Sequence, residues 1–331
     1  MSVLTNLGRA NLWNQPVYAQ FLKEIEPFKD YHYFRSLNMA YDGNNTFWSI
    51  PSPEPNLNDE FWQLVNLGLG DERIQQAASR LAASITEWEA DPNKIVFVAI
   101  LRAGVPVADW LCRLLPGAVA VSLSLFSGIG IDKVALKQVQ LQYPQRKIIF
   151  VDGWTGRGGV ARELSRLSLQ PFAVLIDPWG WADFSGSQDD LLCPTACFTG
   201  VATLGFSRTF YVNENNLFAA YLFPQKYCRY QLVKTWQAYC PAALSVPIVH
   251  QKRFFRSTDM RIHSNEVCRA LINANPETVC FADDLNYVKE NYGLLLALSE
   301  IRQVKTIYNV KELADYRTRV ACTLRQEANN G

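Results

Sequence analysis

The chain has 331 residues, 49% hydrophobic and 19% charged, which is enough to bury a substantial core and excludes disordered and collagen-like classes. Thirty-two Lys and Arg against 31 Asp and Glu leave a formal charge of +1. No global field therefore draws nucleic acid or membrane to it, and any site for a polyanion has to be local. Nine Trp within an aromatic share of 12% point to large planar contacts or a thick core.

The first ninety residues carry aromatic clusters (Tyr31 to Phe34, Phe47-Trp48) and a proline-rich break at Ile50-Pro51-Ser52-Pro53-Glu54-Pro55. Apolar residues then recur at helical spacing from Asn58 to Trp88, so residues 1–90 read as a helical lead-in or hood. Residues 91–250 have a different grammar. Lys94–Ile100, Ala118–Leu125, Lys147–Val151 and Phe172–Ile176 are short apolar runs that alternate with helical segments. That pattern predicts an α/β fold with an open, mainly parallel sheet and helices on both faces. A basic, aromatic stretch, Lys252-Arg253-Phe254-Phe255-Arg256, opens a third part, residues 251–331. Its helix, strand, helix, strand pattern (265–273, 278–282, 287–303, 304–308) suits a small α/β/α sandwich.

The eight cysteines are Cys112, Cys193, Cys197, Cys228, Cys240, Cys268, Cys280 and Cys322, and none forms a CxxC pair, which argues against zinc ribbons and dithiol motifs. The start of the chain lacks the apolar run of a signal peptide, and no window approaches 18 apolar residues. The expectation is a cytoplasmic protein with reduced thiols and no membrane partner. Whether it self-associates is not written in the sequence.

Two glycine-containing turns follow apolar runs, where an α/β sheet offers backbone N–H groups and a helix start to an anion. The first is Ile100-Leu101-Arg102-Ala103-Gly104. The second is Val151-Asp152-Gly153-Trp154-Thr155-Gly156-Arg157-Gly158-Gly159. The strand-end carboxylate of Asp152 could hold a ribose diol or Mg²⁺, or the turn could be a plain tight connection. Asp177 ends another strand, where base contact and turn formation are equally served. Trp154, Trp179 and Trp181 beside these turns suit either nucleobase stacking or core packing.

Together the two turns resemble those of type I phosphoribosyltransferases, whose uracil-specific members also read Ile-Leu-Arg-Ala-Gly. The resemblance implies Asp152 at the ribose and Arg102, with the backbone of Ala103 and Gly104, at the pyrophosphate. It further implies Thr155, Gly156, Arg157, Gly158 and Gly159 around the 5′-phosphate, and Mg²⁺ with phosphoribosyl diphosphate or a nucleotide. The expected reaction is transfer of a ribose 5-phosphate unit to a nitrogen nucleophile, with Asp152 and Arg102 as catalytic residues. Gly153, Val160 and Ser127-Gly128-Ile129-Gly130 depart from the pattern.

Gly153–Gly158, Ala173–Gly180 and Asp190–Cys197 through Ser207-Arg208-Thr209 resemble a narrower group, the phosphoribosyltransferase-like proteins of tellurium-resistance and stress operons, often labelled cysteine protease StiP. That group joins such a domain to a C-terminal Pelota-like RNA-binding domain. Arg261–Ala270 is similar to the signature of kink-turn-reading proteins, which implies Asn265, Glu266 and Arg269 as readers of a structured RNA. The bland alternative is a helix start with an exposed polar face. Two further functions stand beside the transferase: a degenerate nucleotide sensor that binds RNA, and a cysteine peptidase. For the peptidase, Cys197 holds the family position, but only His32, His250 and His263 are present as bases. A buried small hydrophobe is the plain alternative for Cys197.

Overall fold

The computed structural model describes residues 12–37, 45–213, 218–248 and 252–325. In chain order the strands are β1 (Gln20–Glu24), β2 (Ile95–Ile100), β3 (Val119–Leu123), β4 (Leu125–Phe126), β5 (Gly130–Ile131), β6 (Lys147–Trp154), β7 (Phe172–Ile176), β8 (Phe184–Ser187), β9 (Ala219–Leu222), β10 (Arg261–Ile262), β11 (Pro276–Phe281), β12 (Lys305–Ile307) and β13 (Val320–Leu324). The helices are α1 (Asn45–Trp48), α2 (Asp59–Gly68), α3 (Glu72–Trp88), α4 (Gly104–Leu114), α5 (Lys133–Gln142), α6 (Gly159–Arg166), α7 (Gly200–Thr203), α8 (Tyr230–Ala238), α9 (Ser264–Asn273), α10 (Leu285–Asn291) and α11 (Gly293–Ile301).

The expected α/β architecture is present. Five strands pair in parallel in the order β3-β2-β6-β7-β8. Every residue of β2 and β7 is buried, as a sheet covered on both faces requires. Alternation assigns the faces. Ile95, Phe97 and Ala99 join Ile149 and Val151 beneath α3 and α4, whereas Val96, Val98 and Ile100 join Phe150 beneath α5 and α6. The strand order changes direction between β2 and β6, and the crevice outside the carboxyl ends of these two strands is where such sheets take ligands.

The segment read as a helical lead-in or hood also contains a strand, β1. β1 pairs in parallel with β9, and α3, capped by Asp71, buries nine residues from Ile74 to Ile85, packing on the sheet at β7 and β8. The helical spacing of Asn58–Trp88 was legible, but its partner face was not. The expected 287–303 helix is two helices, α10 and α11, separated at Tyr292, whose φ of −129° leaves the helical range.

The C-terminal unit has a four-stranded sheet in the order β10-β13-β11-β12, antiparallel except for β11 with β12. Its core is continuous with the main one. Val267, Cys268 and Leu271 of α9 pack with Cys193 and with Ala196 and Cys197 of the 3-10 turn Pro194–Cys197 that follows it. No helix among the described residues is long and apolar enough to cross a membrane.

Candidate functional site

The first glycine turn leaves β2 and enters α4 directly. A methyl group on Gly104 would stand 2.2 Å from the Val151 carbonyl oxygen, so glycine there lets α4 pack against β6. Ala103 and Gly153 face each other across the two turns, Ala103 Cβ lying 3.2 Å from where a Gly153 Cβ would be. Arg102 extends from this turn into a cluster that the motif did not announce. One of its Nη atoms donates to Glu54, and the other donates to Asn273 Oδ1 at 3.4 Å. Glu54 also accepts the Gly200 N–H at 3.2 Å and is 5% exposed.

Three further guanidiniums lie nearby. Arg208 donates to Ser52 Oγ at 3.1 Å and lies over the Trp48 and Phe126 rings. Burial pushes its pKa well down, and Arg35, Arg102 and Arg269 add like-charge repulsion. Arg269 is lowered to about 10, first by burial and then by Arg102. Arg35, lowered to about 10 by burial, shares Ser52 Oγ with Arg208. Sequence reasoning missed Glu54, Ser52, Arg35 and Arg208. The one visible signal for Glu54 was a lone charge inside a proline-rich run.

The second turn is closed. Gly158 has φ +79°, and its missing Cβ would stand 2.4 Å from the Trp181 indole. The same position on Gly156 (φ +52°) would meet Glu266 Cγ at 2.6 Å. Arg157 donates to the Thr258 carbonyl, and Ser127 lies against Gly159. Trp181 and Glu266 thus occupy the side of these two glycines on which a Cβ would sit. Thr155 Oγ1 donates to Asp177 at 2.6 Å, and Asp177 also accepts the N–H groups of Trp181 and Ala182. Asp177 is fully buried, so it organises the turn and does not face a base.

Trp154 Nε1 donates to Glu266 at 2.8 Å and Trp179 Nε1 to the Tyr316 carbonyl at 2.7 Å. Both rings are buried, and core packing is their role. Asp152 accepts the Gly153 N–H at 2.7 Å. Burial, followed by the Glu266 charge, raises its carboxyl to about 7. One oxygen of Asp152 accepts from Gly153, and one oxygen of Glu266 accepts from Trp154. Among the described residues no group of three or more metal-ligating side chains converges.

The residues expected to read RNA face inward. Asn265 Oδ1 accepts the Cys193 N–H at 2.8 Å and its Nδ2 donates to the Leu191 carbonyl at 2.8 Å. Arg269 Nη1 donates to the carbonyls of Ala196 and Phe198, at 3.1 and 2.8 Å. With Glu266 bound to Trp154, all three residues join the C-terminal unit to the main sheet. The sequence pattern correctly marked a helix start rich in hydrogen-bonding groups, but its partners are protein.

Cys197 lies between the two carbonyls that Arg269 holds. It is wholly buried, and its Sγ is 3.5 Å from Cys268 Sγ. That hydrogen bond, followed by burial, raises the thiol well above its ordinary range, and Arg269 acts in the opposite direction. No imidazole among the described residues bonds to it. His263 is buried with neither ring nitrogen hydrogen-bonded, and His250 lies outside the described residues.

Residues 44–229 match the family described as tellurite-like stress resistance cysteine protease StiP, and the chain belongs to that family. A cysteine protease StiP from Acinetobacter baylyi is 34% identical over 140 residues, covering 38% of this chain. The match spans 36% of that relative's own length. Both descriptions name a cysteine protease, which overturns the expected phosphoribosyltransferase and the pentosyl-transfer roles of Asp152 and Arg102.

Proposed function

We propose that this member of the StiP family serves in stress resistance as a cysteine peptidase, with Cys197 as its nucleophile. The observation that carries the choice of residue is the position of Arg269, whose guanidinium binds the carbonyls on both sides of Cys197. A cation beside a thiol favours the thiolate that attacks a peptide carbonyl. Cys197 shares the upward push that burial gives Cys112 (to about 12), Cys193 (to about 11) and Cys228, and what sets it apart from these thiols of the matched segment is the guanidinium bound to the carbonyls on both of its sides.

The described arrangement is a resting one. Its thiol is protonated and covered by α9, and what most holds the proton is the bond to Cys268. Hydrolysis through Cys197 requires the Cys268 thiol to turn away and the sulfur to be uncovered while Arg269, on the same helix, keeps its hold on the Ala196 and Phe198 carbonyls.

The scaffold reading is kinship with type I phosphoribosyltransferases without their reaction, supported by the strand order and the Leu101–Gly104 turn. RNA contact by the C-terminal unit would fall on the exposed basic stretch Lys252–Arg256, since Asn265, Glu266 and Arg269 are engaged.

Incubation of the full chain with an unfolded protein substrate, followed by mass spectrometry of the products, tests the peptidase. Cleavage that disappears in Cys197→Ala and persists in Cys228→Ala supports the assignment. Cleavage that survives Cys197→Ala removes Cys197 as nucleophile. An intact substrate with both the native chain and Cys268→Ala removes the peptidase reading.

A further inference from the structure

Beyond the second glycine turn, α6 carries two rows of side chains that border a cavity. Ala161 and Leu164, three residues apart, pack towards the sheet, while Arg162 and Arg166, four apart, are exposed along the rim. The cavity, of about 390 Å³, lies between this helix and the segment joining β7 to β8, and Phe172, Trp181, Asp183 and Arg253 complete its wall. Phe172 is the first residue of β7. The cavity therefore sits at the amino end of that strand, whereas the two glycine turns lie at the carboxyl ends of β2 and β6. Its size is near the lower end for pockets that take small ligands.

Charge in this wall is unbalanced. Arg166 is paired with Glu163. Arg162 and Arg253 form no ion pair among the described residues and are held by neutral contacts instead. Arg162 Nη1 donates to the Arg157 carbonyl at 2.7 Å, and Arg253 Nε to the Gly180 carbonyl at 3.4 Å. Both guanidiniums also lie over the Trp181 indole, 5.1 and 4.8 Å from its centroid. One ring thus positions two cations that have N–H groups to spare. Asp183 is the one carboxylate in the wall. One of its oxygens accepts the Phe172 N–H at 2.8 Å, and the other has no donor among the described residues. The wall is left with an excess positive charge, a spare acceptor, and an apolar floor of Leu164 and Phe172.

We propose that this cavity binds the carboxyl terminus of a peptide that ends in an apolar residue. Such a terminus carries a single negative charge on a planar carboxylate, which guanidinium forks match through paired N–H bonds. Its last amide N–H is the donor that the second Asp183 oxygen lacks, and its last side chain covers Leu164 and Phe172. An inorganic anion supplies the charge but neither the donor nor the apolar surface. The site stands whether or not the chain is a peptidase, because its test reads binding and not cleavage.

Calorimetry of the full chain with N-acetyl-phenylalanine, its carboxamide and phenylpropionate tests the proposal. The acid is expected to bind at least tenfold more tightly than the carboxamide, which lacks the charge, and several-fold more tightly than phenylpropionate, which lacks the amide N–H. Arg162→Gln and Arg253→Gln are each expected to weaken the acid several-fold. Asp183→Asn, which keeps an oxygen for the Phe172 N–H, is expected to remove the advantage over phenylpropionate. Absence of saturable binding to the native chain, or equal affinity for acid and carboxamide, overturns the site, and neither comparison needs a variant to fold. Affinity unchanged in both arginine variants overturns it as well. Displacement of the acid by an equal concentration of inorganic phosphate would make it a general anion site and refute the carboxyl-terminus assignment.

Discussion

Cys197 Sγ and Cys268 Sγ face each other at 3.5 Å across the contact between the Pro194–Cys197 turn and α9. The two thiols are 71 residues apart in sequence, so their contact ties the C-terminal unit to the main sheet at the residue proposed as nucleophile. They are one bond from a crosslink. A thiol oxidant such as diamide would take up the two hydrogens as the sulfur–sulfur bond forms.

Oxidation is therefore expected to join Cys197 to Cys268 and to silence any peptidase activity until reductant restores it. Closing a loop of this length stabilises by at most about 4 kcal/mol through the unfolded chain. Peptide mapping without reductant checks the pairing, and a rise in Tm on oxidation that is absent in Cys268→Ala checks the linkage. Pairing of Cys197 with any other cysteine would count against the geometry.

Asp152 supplies a pH dependence with a definite sign. Its folded carboxyl is raised from 3.8 to about 7, so the folded state holds the proton more tightly than the unfolded one. Stability from this group is complete below about pH 4 and declines as pH rises to about 7. Asp132, raised to about 6 by burial, acts in the same direction. Asp152→Asn is expected to flatten the fall in Tm between pH 4 and 7 and to stabilise the chain at pH 8 by on the order of 2 kcal/mol. Urea titrations of both proteins at pH 4.5 and pH 8 measure this, and parallel pH profiles would contradict it.

Gly158→Ala combines a left-handed backbone with a clash against the Trp181 indole. The expected loss is about 2–4 kcal/mol, from strain at positive φ plus overpacking. Gly159→Ala meets only Ser127 at 3.5 Å or more and should cost far less. Equal losses in the two variants, measured as urea midpoints at unchanged slope, would show that Trp181 yields freely.

Asn265→Ala removes an acceptor from the buried Cys193 N–H and a donor from the Leu191 carbonyl. Two backbone groups left without partners lower stability by about 2–4 kcal/mol. If Asn265 instead served RNA, the variant would keep native stability and lose RNA affinity. Denaturation and a gel-shift titration at one salt concentration distinguish the two.

Much of the scaffold was legible before any coordinates. The runs at Ile95–Ile100 and Phe172–Ile176 are apolar at every position, and only a strand covered on both faces uses such a run. The turns at Arg102 and at Gly156–Gly158 were located correctly, because glycine at positive φ and glycine at a close contact leave a local mark. Arg208, Arg35 and Glu54 left no such mark, since they belong to one cluster only after segments more than a hundred residues apart have folded together.

The sequence by itself determined the apolar strands β2, β3, β6 and β7, the α/β class and the placing of both glycine turns, because periodicity and turn chemistry are local properties. Tertiary structure decided what those turns hold. It set Glu266 and Trp181 against the second turn, turned Asn265 and Arg269 towards protein, and paired Arg102 with Glu54. Occupancy and net charge at a site are sums over residues remote in sequence, and only the folded chain performs that sum.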